Sequence, residues 1–175
     1  MNFMSPYLAG LLFGDGTSHL AKNGAYAVWI DQHERNSKIV DRAVKEFIRM
    51  KLNVHHYRYL NKVRAMVYSK ALFLEFRGMR DKPVKFFRSL SKKQKLEFFS
   101  GFFDAEGTAT DRLVVYNGNT EVLEEIQTFL GKNNIFGHIY KYGKIHGIQI
   151  YQRESIMRLI KLTDSLKIKS FVLPS

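Results

Sequence analysis

The sequence predicts an α+β fold of two pseudo-symmetric αββαββα halves, packed against each other through one helix from each half. Three observations predict it. A motif occurs twice, as LAGLLFGDGT at 8–17 and as FSGFFDAEGT at 99–108. The same order of helix-like and strand-like patterns follows each copy. The stretch that joins the copies has no long Gly/Ser tract, which favours two packed halves over two domains on a flexible linker.

The two motif copies are repeats in register. Gly10 and Gly101, and likewise Asp15 and Glu106, are separated by 91 residues. Each copy reads as a helix. The first has Ser5 as N-cap and a proline at the first helical position. The second has Ser91 followed three residues later by a glutamine, which is a capping box. Each copy places an acid at its end, followed by a glycine that we expect to adopt a left-handed conformation.

The segments after each motif alternate between the periods of strands and of helices. In the first half, we expect a hairpin at 16–22 and 25–32, a helix at 37–51, strands at 54–60 and 64–68, and a helix at 69–76. In the second half, we expect a hairpin within 108–116, a helix at 120–132, strands at 136–142 and 144–151, and a helix from about 155. The second copy is shorter by about eight residues, a loss that we place in its first hairpin turn. We divide the chain into a first half at 1–80, a linker at 81–90 and a second half at 91–175.

Composition indicates a polyanionic partner. The 175-residue chain carries a formal net charge of +12, and nucleic acid is the usual partner of so basic a protein. The hydrophobic fraction of 45 % is enough for a sizeable core. The absence of cysteine excludes disulfides, thiolate metal sites and cysteine nucleophiles, and it fits an intracellular chain.

The apolar N-terminus is interpreted as structure and not as a targeting segment. It has no Lys or Arg before its apolar run, and the run stops at Asp15, too early for a secretory signal or a membrane span.

Small residues one helical turn apart predict that the two motif helices touch. Gly10 and Gly14 have this spacing in the first copy, and Gly101 and Ala105 have it in the second. Such pairs let helix backbones approach closely, which places Asp15 beside Glu106. Two carboxylates at the negative ends of two helices repel each other. A divalent cation reverses the sign of both effects, so the pair indicates a metal site.

These motifs resemble the LAGLIDADG homing endonucleases, in particular the single-chain, archaeal, intron-encoded type with two motif copies. The resemblance covers nearly the whole chain. It implies two halves whose saddle-shaped antiparallel sheets face the DNA major groove. It also implies that the last acid of each motif binds Mg²⁺ beside a scissile phosphate, one on each strand.

Carried onto this sequence, the resemblance implies a set of catalytic and metal-binding residues. Asp15 and Glu106 are the metal acids, and Gly14 and Ala105 supply backbone carbonyls to the metals. Asp104, the first acid of the second motif, is replaced by Phe13 in the first copy, and we interpret it as structural. The family places a lysine with a Gln or Asn near the metal. Gln32, His33 and Asn117 occupy that neighbourhood here, whereas no lysine follows Glu106 closely. Either His33 takes the lysine's place or a more distant Lys or Arg folds in.

The strand faces opposite the core are the expected DNA contacts. The candidates are His19, Lys22, Trp29, Arg35, Arg58, Lys62, Arg64, Tyr68, Arg112, Tyr116, Lys141 and Gln149, with Lys70 and Arg153 at the starts of later helices. We expect the other large aromatic residues in the core or between the halves, namely Tyr57, Tyr59, Phe86, Phe87, Phe98 and Phe99.

The resemblance therefore implies a metal-dependent DNA endonuclease. It hydrolyses one phosphodiester on each strand of a long double-stranded site and leaves short 3′ overhangs. Mg²⁺ is the expected cofactor, with Mn²⁺ as a substitute and Ca²⁺ as an ion that binds without supporting cleavage. The expected state is an intracellular monomer with double-stranded DNA as its partner, no membrane association and no protein partner. The expected compartment is the cytoplasm if the source is archaeal, and an organelle if the gene is of organelle origin.

Two alternatives differ in class. A protein of the same fold without cleavage would act as an RNA splicing maturase or a DNA-binding regulator, and it would not need to keep both motif acids. A small acid–base hydrolase would use Asp15 and Glu106 as paired carboxylates. The hydrolase explains neither the positive charge nor the series of strands.

Overall fold

The structure is a computed structural model that describes residues 4–171. The first half contains α1 (Pro6–Asp15), β1 (Gly16–Leu20), β2 (Tyr26–His33), a 3₁₀ turn (Glu34–Asn36), α2 (Ser37–Arg49), β3 (Val54–Tyr59), β4 (Lys62–Tyr68) and α3 (Lys70–Asp81). After α4 (Pro83–Ser89), the second half contains α5 (Lys92–Glu106), β5 (Gly107–Ala109), β6 (Leu113–Asn117), α6 (Thr120–Gly131), β7 (His138–Tyr142), β8 (Ile145–Ile150), α7 (Arg153–Leu162) and α8 (Leu166–Lys169). None of the helices within this range is long and apolar enough to cross a lipid bilayer.

Each half forms a four-stranded antiparallel sheet. The strand orders are β1-β2-β4-β3 and β5-β6-β8-β7, so the two sheets have one topology. Helices cover one face of each sheet, with α2 packed on β2 and β4 and α6 packed on β8. The predicted α+β class and the αββαββα order of each half are confirmed.

The strand register shows where the second half lost residues. Gly16 pairs with Ile30, and Gly107 pairs with Val115, so the repeat offset falls from 91 in the motif to 85 in the second strand. Pairing of that strand with the last strand lowers the offset to 83. The prediction that the loss lies in the first hairpin is therefore confirmed for most of it. The remaining two residues are lost after the second strand, where the first half has the 3₁₀ turn between β2 and α2 and the second half has only a short connection between β6 and α6.

The two motif helices form the centre of the molecule. A methyl group on Gly10 would overlap the backbone carbonyl of Phe98, and one on Gly101 would overlap that of Tyr7. The two contacts are equivalent, because Gly10 corresponds to Gly101 and Tyr7 corresponds to Phe98 in the repeat. The helices α1 and α5 are therefore related by a local two-fold axis. The predicted close approach through small residues is confirmed, because no larger side chain fits at either glycine.

The glycines that end the two motif helices do not have the predicted conformation. Gly16 and Gly107 were expected in the left-handed conformation, but their φ angles are −72° and −83°, and each continues directly into a strand. Glycine is needed there for space and not for its freedom in φ. A methyl on Gly16 would overlap Leu12, and one on Gly107 would overlap Phe103.

Two helices were not predicted. Pro83–Ser89, inside the segment interpreted as a linker, is α4, and Phe87 on it is fully buried. Leu166–Lys169 forms α8, which packs against α5 and β5. Phe87, Phe98 and Phe99 are buried as expected, and Phe86 packs half-buried against the same core.

Candidate functional site

Asp15 and Glu106 are the last residues of α1 and α5, and the helix packing brings them together. A methyl built on Gly14 would lie 2.9 Å from Cγ and 3.7 Å from Cδ of Glu106, so the Glu106 carboxyl packs against the residue that precedes Asp15. The same methyl would overlap that of Ala105. There is space for only one methyl group between these two positions. Ala105 fits because the residue opposite it, Gly14, has no side chain.

Both carboxyls lie in an environment that disfavours their charged form. Burial is the main cause that raises the pKa of Asp15, opposed by the positive charge of Lys167 and by a hydrogen bond from Gln32. Burial also raises the pKa of Glu106, and the negative charge of Asp15 raises it further, while Lys167 opposes the shift. The two acids thus repel each other in the absence of a cation.

Gln32 is the amide that the structure places at the acid pair. It is buried, its Nε2 donates to Oδ2 of Asp15, and its Oε1 accepts from Asn36 Nδ2 at 3.2 Å. Asn117 has the equivalent register position, two residues past the partner of Gly107. Its Oδ1 accepts from the backbone of Asn119 at 2.8 Å, so this side chain bonds its own turn.

His33 is exposed at the end of β2. Its Nδ1 accepts a bond of 3.2 Å from the Arg35 backbone N–H, which caps the following 3₁₀ turn. The part of His33 and Asn117 in catalysis stays a prediction, and neither of these two hydrogen bonds supports it.

Lys167 is the basic residue at the acid pair, and it is not among the residues that the sequence predicts there. Its Nζ donates to the backbone carbonyls of Ala105 at 3.0 Å and Gly107 at 2.9 Å. Burial lowers the pKa of this lysine, opposed by the negative charges of the acids around it. The resemblance called for a lysine here, but no spacing rule reaches α8, which follows Glu106 by about sixty residues of sequence.

The residues present fit a hard divalent cation. Half-buried carboxylates with raised pKa values, and helix C-terminal carbonyls that have no partner within the helix, are oxygen donors of the kind that Mg²⁺ and Ca²⁺ prefer. Across residues 4–171, no group of three or more His, Cys, Asp or Glu side chains is assembled for a metal ion. Two carboxylates and backbone carbonyls would therefore be the protein's share, and water or a phosphate would complete the coordination.

The first sheet has an open face, away from the helices, that is organised around Arg64. This guanidinium forms a bidentate pair with Asp31 at 2.6 and 2.7 Å. The Tyr59 hydroxyl lies 3.0 Å from it, and the Trp29 ring centroid lies 5.1 Å from its central carbon. Register places His19, Lys62 and Tyr68 on the same face.

The open face of the second sheet is mainly aromatic and amide. Tyr116 packs edge-on against Tyr142 with 5.1 Å between centroids, and the Tyr142 hydroxyl donates to Gln149 Oε1 at 3.1 Å. Arg112 lies beside these tyrosines and pairs with Asp111.

Register corrects the placement of two candidates. Arg58 pairs with Val63, and Lys141 pairs with His146, so both side chains lie on the helix side of an edge strand, and Arg58 bonds Glu34 at 2.6 Å. The expectation that they lie on the open faces is wrong. On each of these edge strands only one apolar residue is directed to the core, Val54 on β3 and Ile139 on β7. The alternation of apolar and polar residues is therefore too weak to show from the sequence which face is buried.

The expectation that Tyr57 and Tyr59 lie in the core or between the halves is also wrong. Both lie on the open face opposite Arg64 and Lys62, and 39 % of Tyr57 is exposed. Of the other candidates, Lys22 lies in the exposed turn after β1 and Arg35 in the 3₁₀ turn. Lys70 and Arg153 begin α3 and α7, and both are exposed.

Comparison with known proteins identifies the fold. Residues 93–163 match the family model of a LAGLIDADG-like domain. A structure of the homing endonuclease I-DmoI in complex with DNA and Mn is 22% identical, with a TM-score of 0.71, and the match covers 98% of this chain and 99% of that chain. A structure from work on mesophilic variants of I-DmoI is 20% identical, with a TM-score of 0.73, and the match covers 95% and 98%.

A more distant match is the N-terminal LAGLIDADG domain of DUF199/WhiA. It is 14% identical, with a TM-score of 0.62, and the match covers 91% of this chain and 82% of that chain. No curated protein sequence matches this chain. The resemblance stated from the two motifs is confirmed by the family model over the second half and by the fold over nearly the whole chain.

Proposed function

We propose, from a fold shared with single-chain LAGLIDADG homing endonucleases, that this protein is a site-specific DNA endonuclease. It hydrolyses one phosphodiester on each strand of a long double-stranded site with a divalent cation, and it leaves short 3′ overhangs. It acts as a monomer, because one chain supplies both acids and both sheets.

One observation carries the proposal. Asp15 and Glu106 meet at the junction of the two halves, each directly before the first strand of its own sheet. A duplex lying along both open faces would therefore pass over the acid pair. This geometry suits two cuts close together, one on each strand.

The side chains around the acids have separate tasks. Asp15 and Glu106 hold the cation, with the carbonyls of Gly14 and Ala105 as neighbouring donors. Gln32 donates to Asp15 and so fixes the direction of that carboxylate. A divalent cation at this position supplies Lewis-acid polarisation of the phosphate and lowers the pKa of a bound water. Mg²⁺ is the proposed ion, with Mn²⁺ replacing it and Ca²⁺ binding without cleavage; structures of I-DmoI exist with Mn, Ca and Mg.

The open faces supply binding and recognition. Arg64 is held rigid by Asp31 and stacked near aromatic rings, which prepares a planar donor for a base edge or phosphate. Lys62 and the lysines at turns and helix starts contact the backbone, which positions the duplex without reading its sequence.

The test is cleavage of a duplex that spans the sealed insertion junction of the protein's own gene, in Mg²⁺. The wild type should cut both strands, whereas Asp15→Asn and Glu106→Gln should each lower the rate on the order of 100-fold or more. Both variants should keep DNA binding in Ca²⁺, since the open faces are unchanged. A variant that cuts both strands at the wild-type rate would remove that acid from the metal site.

A selection of cleaved sites from a random duplex library extends the test beyond one sequence. Failure of the wild type to cut any duplex, together with tight binding to the RNA that contains its own coding intron, would replace the endonuclease with the non-cleaving maturase.

A further inference from the structure

The ammonium of Lys167 lies where the chain would otherwise offer oxygen atoms to a metal. The last carbonyls of a helix have no partner within the helix, and the carbonyl of Ala105 belongs to the residue directly before Glu106. Nζ of Lys167 bonds two backbone carbonyls there, those of Ala105 at 3.0 Å and Gly107 at 2.9 Å. The side chain is half-buried, so this ammonium is partly withdrawn from water.

A buried carboxylate holds the short helix that carries Lys167. Asp104 is fully buried and accepts hydrogen bonds from Ser165 Oγ at 2.6 Å and from the backbone N–H groups of Leu166 and Lys167 at 3.0 Å each. The Tyr7 hydroxyl donates to it from α1 at 2.9 Å. Asp104 lies two residues before Glu106 on α5, so Glu106 and the lysine are positioned by one helix.

The first half has a different arrangement at the same place. There Nη1 of Arg80 donates to the Gly16 carbonyl at 3.2 Å, which is the counterpart of the bond from Lys167 to Gly107. Arg80 is exposed and lies over the Phe76 ring. Arg80 thus caps α1 from outside, whereas Lys167 caps α5 and also bonds the carbonyl of Ala105, next to Glu106.

We propose that Lys167 is a built-in cation for Asp15 and Glu106, and that it competes with a divalent ion for the Ala105 carbonyl. This inference rests on the proposed function, because it places the ion between the same two acids. The ammonium offsets part of the repulsion between the carboxylates when no metal is bound. A divalent ion that uses the Ala105 carbonyl must approach or displace this positive charge, so the two sides of the site bind metal unequally.

The experiment measures the melting temperature without DNA, in EDTA and across a Ca²⁺ titration, for the wild type, Lys167→Met and Lys167→Gln. Both variants should melt below the wild type in EDTA, because the acid pair loses its counter-charge. Both should reach half of their Ca²⁺-induced shift at about tenfold lower Ca²⁺, the effect of removing one unit charge a few ångströms from a divalent ion. Lys167→Gln keeps a donor for the carbonyls, and so separates lost charge from a lost hydrogen bond.

Three control variants identify the cause. Arg80→Met removes the corresponding cap in the first half, and should lower the melting temperature without moving the Ca²⁺ midpoint. Lys169→Met removes an exposed charge two residues along α8, paired with Asp164 at 3.6 Å, and should change neither. Lys167→Arg keeps the charge and should keep the wild-type midpoint.

Two outcomes would overturn the inference. If Asp15→Asn abolishes the Ca²⁺ response but both neutral Lys167 variants keep the wild-type midpoint, then Lys167 is only a helix cap and the proposed function stands. If Asp15→Asn leaves the Ca²⁺ response unchanged, then the ion does not bind at the acids, and the proposed function falls together with the inference.

Discussion

At the scale of residues, the acid pair is an arrangement that costs stability in the absence of a cation. Burial raises the pKa values of both Asp15 and Glu106, and the negative charge of Asp15 adds to the shift of Glu106. The folded protein therefore binds protons at these carboxyls more tightly than the unfolded chain does. Their destabilising effect is absent below the ordinary carboxyl pKa and grows as the pH rises through the raised values. This is the opposite of a salt-bridged carboxylate, which stabilises the folded state at neutral pH.

The pH dependence leads to a prediction for Glu106→Gln in EDTA. The variant should melt above the wild type at pH 7 to 8, by about 2–4 °C for each kcal/mol of relieved repulsion. The difference should shrink as the pH falls toward about 4.3 and be small below it, where a free glutamate is already protonated. Calorimetry at a series of pH values checks this. A difference of equal size at pH 4 and pH 8 would show that the charge of Glu106 is not its cause.

At the scale of elements, the contact between α1 and α5 determines where the acids lie. Gly10 and Gly101 meet backbone carbonyls across this interface, so the distance between the helices depends on the absence of side chains at two positions. A methyl group at either one has to push a helix backbone aside, because the atom that it meets is not a flexible side chain.

We therefore predict that Gly10→Ala destabilises the protein by about 1–3 kcal/mol through overpacking. Gly78→Ala is the matched control, because Gly78 lies in α3 with open space where its methyl would go, and the change should stabilise that helix by up to about 1 kcal/mol. Denaturant unfolding of the two variants measures both effects. Equal stability of Gly10→Ala and the wild type would mean that the helices do not touch there.

The elements also show what the sequence could reveal. The motif helices, the strands and the repeat order followed from periodicity, capping residues and the constant offset, which are local signals. α4 was missed because Pro83 and the surrounding charges resemble a linker, and α8 because it has four residues. The placement of Lys167 depends on the buried carboxylate of Asp104, which is a tertiary contact that no spacing in the sequence reveals. The two acids were identified because the repeat itself pairs them.

At the scale of the whole molecule, the two halves share a topology but differ in chemistry. The open face of the first sheet carries the Asp31–Arg64 pair and Lys62, whereas that of the second is formed largely by Tyr116, Tyr142 and Gln149. Near the acids, the first half contributes Gln32 and the second contributes Lys167. A pseudo-symmetric frame thus holds an asymmetric site, and under the proposed function such a site would suit a DNA target whose two half-sites differ in sequence.

The most direct test of the account is the anomalous scattering of Mn²⁺ in crystals of the protein with a DNA duplex. We predict an anomalous peak at the junction of α1 and α5, within about 2.0–2.6 Å of carboxylate oxygens of Asp15 and Glu106. The peak should weaken or vanish in crystals of the Asp15→Asn variant. Manganese bound only at other positions, or carboxyls of Asp15 and Glu106 on opposite sides of the molecule, would contradict the account.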